Sequence, residues 1–162
     1  DEKLMLDKFE NFFYPTILLV SVFSILFALY IEHILLIPAC KLCLFQRVPY
    51  LAAIILCFFG YFFPKNKIWI YLLIISFFCS IAISGYHLGI ENNIFKEFSG
   101  CTNENINTTD KVELLNNLNN FLPSCKNVNF RIFGFSLATI NFILSFALTS
   151  ITIKYLVYEK KF

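Results

Sequence analysis

The sequence predicts an all-α integral membrane four-helix bundle, and three observations lead there. Four apolar stretches are each long enough to cross a bilayer. Hydrophobic residues fill 58% of the 162 positions and charged residues 15%, with a mean hydropathy of +0.69. None of the stretches alternates polar and apolar residues as barrel strands do, and all exceed the strand length of about 10 residues. A soluble domain of this length needs more polar surface than the composition supplies. The chain, 1–162, therefore reads as one four-span transmembrane domain whose solvent is the lipid bilayer. No basic segment is interleaved with aromatics, so nucleic acid is not an expected partner.

The first span, about 12–31, carries no charge from Phe12 to Ile31, the length of roughly 20 residues that a crossing helix needs. The acidic residues before it (Asp1, Glu2, Asp7, Glu10) and the length of the run argue for a span rather than a cleaved leader. The second span, about 44–63, holds Arg47 in its first turns. The third, about 68–86, and the fourth, about 132–153, are uncharged. Lys3 and Lys8, the short link Pro64-Lys65-Asn66-Lys67, and Lys154, Lys160 and Lys161 place both termini and that link on the cytoplasmic side by the positive-inside rule, an N-in/C-in topology. The segment around Cys40 and Cys43 and the loop of about 88–131 then face outward. Within that loop Asp110 resembles a helix cap, followed by Leu114, Leu115, Leu118, Phe121 and Leu122 at helical spacing. This predicts a short amphipathic helix, either on the membrane surface or packed on the bundle, ended by Pro123.

The chain has six cysteines. Cys40-Lys41-Leu42-Cys43 is a C-x-x-C pair just after Pro38 and just before span two, hence near a helix N-terminus. There the helix dipole and unpaired N–H groups favour an anion and lower a thiol pKa. Arg47 lies one turn beyond Cys43 on the same helix face, where its guanidinium can stabilise a Cys43 thiolate or an anionic acceptor. A mid-membrane Arg costs about 2.5–3.5 kcal/mol, less near the interface, and something should compensate for it; a snorkelling structural role is the alternative. Cys101 and Cys125 share the outer loop and can form a disulfide, either a structural staple or an exposed, exchangeable bond. Cys57 and Cys79 fall inside spans and read as small hydrophobes. His33 and His87 with Cys40 and Cys43 supply the residue types of a Cys2His2 zinc site. Their spacing is not that of a zinc finger, and no metal is expected. His87, at the outer end of span three, is otherwise a hydrogen-bond donor to an acceptor carbonyl or a proton shuttle.

Three stretches carry a family resemblance. Glu32 to Arg47 (EHILLIPACKLCLFQR), Gly85 to Glu91 (GYHLGIE) and Phe133 to Asn141 (FGFSLATIN) resemble the first outer loop, the end of the third span and the start of the fourth span in the disulfide bond formation protein B (DsbB) family. The resemblance covers nearly the whole chain in order. It implies a protein-disulfide:quinone oxidoreductase of the bacterial inner membrane with its redox cysteines on the periplasmic side. Cys101–Cys125 would be attacked by a reduced thioredoxin-like oxidase of the DsbA type, with Cys101 forming the mixed disulfide. Cys125 would then exchange with Cys40, freeing Cys43 to contact a quinone, ubiquinone or menaquinone, from the membrane pool. Arg47, His87 and Gln46 would line the quinone site. The stretch between Cys101 and Cys125 matches no placeable motif, and Gln46 stands where relatives can carry an acid. Two other readings fit four spans. A vitamin K epoxide reductase-like protein tends to have its C-x-x-C late in the chain, and a tetraspanin-like scaffold has a Cys-Cys-Gly motif absent here.

Overall fold

The computed structural model describes residues 2–64, 66–96, 124–126 and 130–161, with side chains from 12 to 158 within those ranges. Cys101 and the expected amphipathic helix after Asp110 lie outside the described residues. Among the described residues there are four long helices: α1 Glu2–His33, α2 Lys41–Phe62, α3 Ile68–Glu91 and α4 Leu137–Lys161. Each contains a stretch long and apolar enough to cross a membrane, Phe12–His33, Lys41–Phe62, Ile68–Glu91 and Leu137–Tyr158. A bilayer offers no water to unpaired backbone groups, so helices that satisfy their own N–H and C=O groups are the natural crossing elements. Several of their hydroxyls follow the same rule. Ser84 donates to the Ser80 carbonyl at 2.6 Å, Thr149 to that of Ser145 at 2.8 Å and Thr152 to that of Leu148 at 2.7 Å.

The helices run past the uncharged stretches that mark them in sequence. α2 starts at Lys41 and α3 continues to Glu91, because backbone hydrogen bonding tolerates charged side chains that apolarity does not. α3 ends where Asn93 adopts φ 59°, the left-handed conformation common just past a helix C-terminus. α4 starts later than the expected fourth span, at Leu137. Ahead of it β1 (Arg131–Ile132) pairs antiparallel with β2 (Phe135–Ser136). The turn between them needs positive φ at Phe133 and Gly134, 50° and 85°, which suits glycine at the second position. Ser136 then caps α4, its Oγ accepting the Thr139 N–H at 3.2 Å.

α1 packs on α2, α2 on α3 and α3 on α4. The Phe13 and Tyr155 rings stack at 3.8 Å between centroids, bringing α1 to α4. Around them lies the larger core, which includes Ile17, Ala53, Leu73 and Phe77. α1 and α2 approach closely at Gly60, where a Cβ would collide with the Tyr14 ring. Cys57 is buried in this core and Cys79 faces outward. A second, smaller core at the other end contains Cys40, Leu42, Ile90 and Cys125, with Cys43 packed against it.

Candidate active site

The link from α1 to α2 turns at Leu36, φ 55°, and passes Pro38 to deliver Cys40 as the N-cap of α2, with φ −71° and ψ 167°. An N-cap side chain normally accepts a backbone N–H from the first turn through oxygen. Here the Cys40 sulfur accepts the Cys43 N–H at 3.4 Å. The two sulfurs are free thiols, hydrogen-bonded at 3.0 Å. His87 on α3 approaches from the other side, its Nε2 at 3.8 Å from Cys40 Sγ. The hydrogen bond from Cys43, and behind it that from His87, outweigh the opposing effect of burial and pull the Cys40 thiol down to about 4. The Cys40 sulfur, accepting the Cys43 N–H and facing His87, is the one whose thiolate this site favours.

His87 is buried and contacted on both ring nitrogens. Nε2 faces the Cys125 carbonyl at 3.2 Å and Glu91 Oε1 at 3.7 Å, while Nδ1 faces Gln46 Nε2 at 3.1 Å. Gln46 belongs to the buried stripe Leu42, Gln46, Pro49, Tyr50, Ala53 of α2, whose helical spacing turns its amide inward. Its Oε1 accepts from Asn141 Nδ2 at 3.1 Å. Asn141 Oδ1 accepts from the Tyr50 hydroxyl at 2.6 Å, which also lies 3.0 Å from Ser145 Oγ. A polar ladder thus crosses from α3 through α2 to α4 inside the bundle.

Arg47 leaves α2 on another face and pairs with Glu32 of α1, Nη1 to Oε2 at 2.6 Å. Glu32 is the compensation that a cation at this depth requires. Both border a cavity of about 710 Å³ that also reaches Cys40, Cys43, Phe27 and Leu144. Its size and largely apolar wall suit a small hydrophobic ligand.

Of the residues singled out in sequence, Cys40, Cys43, Cys125, His87 and Gln46 converge in this one region, with Arg47 on the cavity beside them. Cys125 is disulfide-bonded. Gln46 directs its amide to His87 and Asn141. The metal-ligand types gather as Cys40, Cys43 and His87, whose donor atoms lie within 4.8 Å of one another. His33, exposed at the end of α1, is not in that group. Glu32, Glu91, Asn141 and Tyr50 were not singled out. The first three lie inside the motif stretches, so the signal was present, whereas Tyr50 carried none.

Four membrane-length helices with a buried dithiol and a disulfide-bonded cysteine packed at one end define a membrane protein of thiol–disulfide chemistry. The sequence profile of the family described as disulfide bond formation protein DsbB matches residues 10–154, and the chain belongs to that family. It is accordingly a membrane oxidoreductase acting on disulfides. No curated protein matches the chain.

Proposed function

We propose that the protein reoxidises a periplasmic thioredoxin-like oxidase of the DsbA type by disulfide exchange and passes the electrons to a membrane quinone. The observation that carries this reading is the packing of Cys125 with Cys40 in one buried cluster, beneath the same His87 Nε2. Exchange between a loop disulfide and the C-x-x-C pair needs that proximity. In this scheme Cys101 takes the partner's thiolate into a mixed disulfide. Cys125, released, attacks Cys40 of the oxidised Cys40–Cys43 bond, and Cys43 departs as thiolate. The partner's second thiol then displaces Cys101, which displaces Cys40 from Cys125. Two electrons and two protons have left the partner dithiol, and the same number must leave Cys40 and Cys43 for their bond to reform.

A quinone, ubiquinone or menaquinone, supplies a two-electron, two-proton sink when bound. The cavity fits such a group: its wall is apolar, with the Arg47 cation and the Cys43 sulfur on it. Arg47, Gln46 and His87 are the polar residues that would hold and orient the ring. Arg47 favours negative charge arising beside Cys43, and Glu32 keeps its guanidinium in place. Both termini on the cytoplasmic side of a bacterial inner membrane would set the dithiol on the periplasmic side, where the partner is found.

The test is purified protein with a reduced thioredoxin-like substrate and added quinone. Quinone reduction should occur and should vanish in Cys43→Ser. Undiminished reduction in that variant would sink the relay.

A further inference from the structure

The ladder from Tyr50 to His87 is directional, and the direction has a chemical result. We propose that Gln46, Asn141 and Tyr50 form a tautomer lock that holds His87 as a neutral ring with its proton on Nε2, shared between the Cys40 sulfur and the Cys125 carbonyl. This rests on the exchange reaction proposed above and deepens it by giving a job to Asn141 and Tyr50, which that reading leaves unused.

The argument starts from a group with no choice. A backbone carbonyl only accepts hydrogen bonds, and the Cys125 carbonyl lies 3.2 Å from His87 Nε2. Nε2 must therefore carry a proton. In a neutral imidazole Nδ1 is then an acceptor, and the atom facing it at 3.1 Å must donate, which the Gln46 Nε2 amine does. With its amine so placed, Gln46 presents Oε1 to Asn141, whose Nδ2 donates to it at 3.1 Å. Asn141 is then left with Oδ1 facing the Tyr50 hydroxyl, which donates at 2.6 Å. Amide orientation is assigned from the hydrogen-bond network as a whole, and here every link agrees with the carbonyl that anchors the chain. Turning both amides over suits a ring protonated on Nδ1, either neutral or as the imidazolium that Glu91 Oε1, 3.7 Å from Nε2, would favour. The ring nitrogen shifts tell these apart. In a neutral ring the turned amides set a bare Nε2 against the Cys125 carbonyl, lone pair against lone pair.

A ring held this way is a fixed donor. Its Nε2–H points to the region shared by Cys40 Sγ, 3.8 Å away, and the Cys125 backbone. It favours negative charge on Cys40 whenever that sulfur leaves a disulfide with Cys125. No electron passes through the lock and its protons stay in place. Asn141 and Tyr50 are positioning residues acting through Gln46 and His87.

The experiment uses full-length protein in detergent with ¹⁵N-histidine and His33→Gln as background, so that His87 is the sole histidine. Ring nitrogen shifts should report a neutral ring protonated on Nε2. A proton on Nδ1 in the neutral ring, or a doubly protonated ring at neutral pH, overturns the proposal. Asn141→Leu should release the Gln46 amide, mix the two tautomers, and slow single-turnover exchange between the loop pair and Cys40/Cys43 roughly tenfold, the scale of one hydrogen bond to a charged group. Tyr50→Phe deletes one oxygen and keeps the ring packing, so it decides the matter if Asn141→Leu does not fold. It should change both readouts in the same direction, with a slowing of about threefold. Wild-type ring signals in the folded variants, or altered signals with unaltered exchange, overturn it. Absence of exchange in the parent protein instead defeats the proposed function, and the ring signals still report on the lock.

Discussion

At Cys40 a sulfur atom fills the place that a Ser or Asp oxygen takes at most helix N-caps, accepting the Cys43 N–H at 3.4 Å. Sulfur is the poorer acceptor when neutral and the better one as a thiolate, so the cap and the helix dipole both favour the anion. With the Cys43 thiol hydrogen-bonded to it as well, Cys40 falls to about 4. A depressed value adds stability to the folded, reduced protein that is fully present above the ordinary thiol pKa, about 8.5. That stability is lost as pH falls through about 4. The thiolate absorbance of the reduced protein should therefore persist through pH 5 to 6. His87→Gln should raise its midpoint, and Cys43→Ala should raise it further, because the Cys43 hydrogen bond is the largest cause. Equal midpoints in all three proteins would show that the cap alone sets the charge. The sequence marks the pair as reactive through Pro38 and the start of span two. Through Arg47 it points to a Cys43 thiolate or an anionic acceptor, and in the structure Glu32 pairs with that guanidinium at 2.6 Å. Which sulfur holds the charge depends on where His87 and one N–H sit to within an ångström, and spacing in the chain does not encode that.

Among the elements, the spans were the most legible, because long uncharged runs leave few alternatives in a chain this apolar. The hairpin Arg131–Ile132 and Phe135–Ser136 was not, since two-residue strands have no period to read. The ladder was hidden for a different reason: Gln46 and Asn141 lie 95 positions apart and meet only when α2 and α4 face each other. Close helix approach is likewise a tertiary fact. At Gly60 a methyl group would enter the Tyr14 ring of α1, and overpacking of this kind costs about 1–3 kcal/mol. Gly60→Ala should lower stability by that amount in detergent unfolding, while leaving the dithiol's reactivity unchanged because the contact lies in the other core. Unaltered stability would mean that the Tyr14 ring swings aside without cost.

For the molecule as a whole, the division into two cores separates what holds the helices together from what reacts. The larger core is built from aromatic and aliphatic side chains with Cys57 among them, and the smaller one from Cys40, Leu42, Ile90 and Cys125. The proposed orientation puts the smaller core outward and both termini inward. Reporter fusions should be active in the form that works only in the cytoplasm at either terminus. A C-terminal fusion active outside would reverse the bundle and detach the dithiol from a periplasmic partner.

Because Cys40 and Cys125 are themselves members of the smaller core, a change of sulfur bonding there is also a change of packing. The fit of Leu42 and Ile90 around each bonding state therefore enters the electrode potential of the couple. For a two-electron exchange, a packing difference of about 1.4 kcal/mol between oxidised and reduced forms displaces that potential by about 30 mV. Two aliphatic side chains that exchange neither electrons nor protons thus set part of the voltage at which the dithiol works.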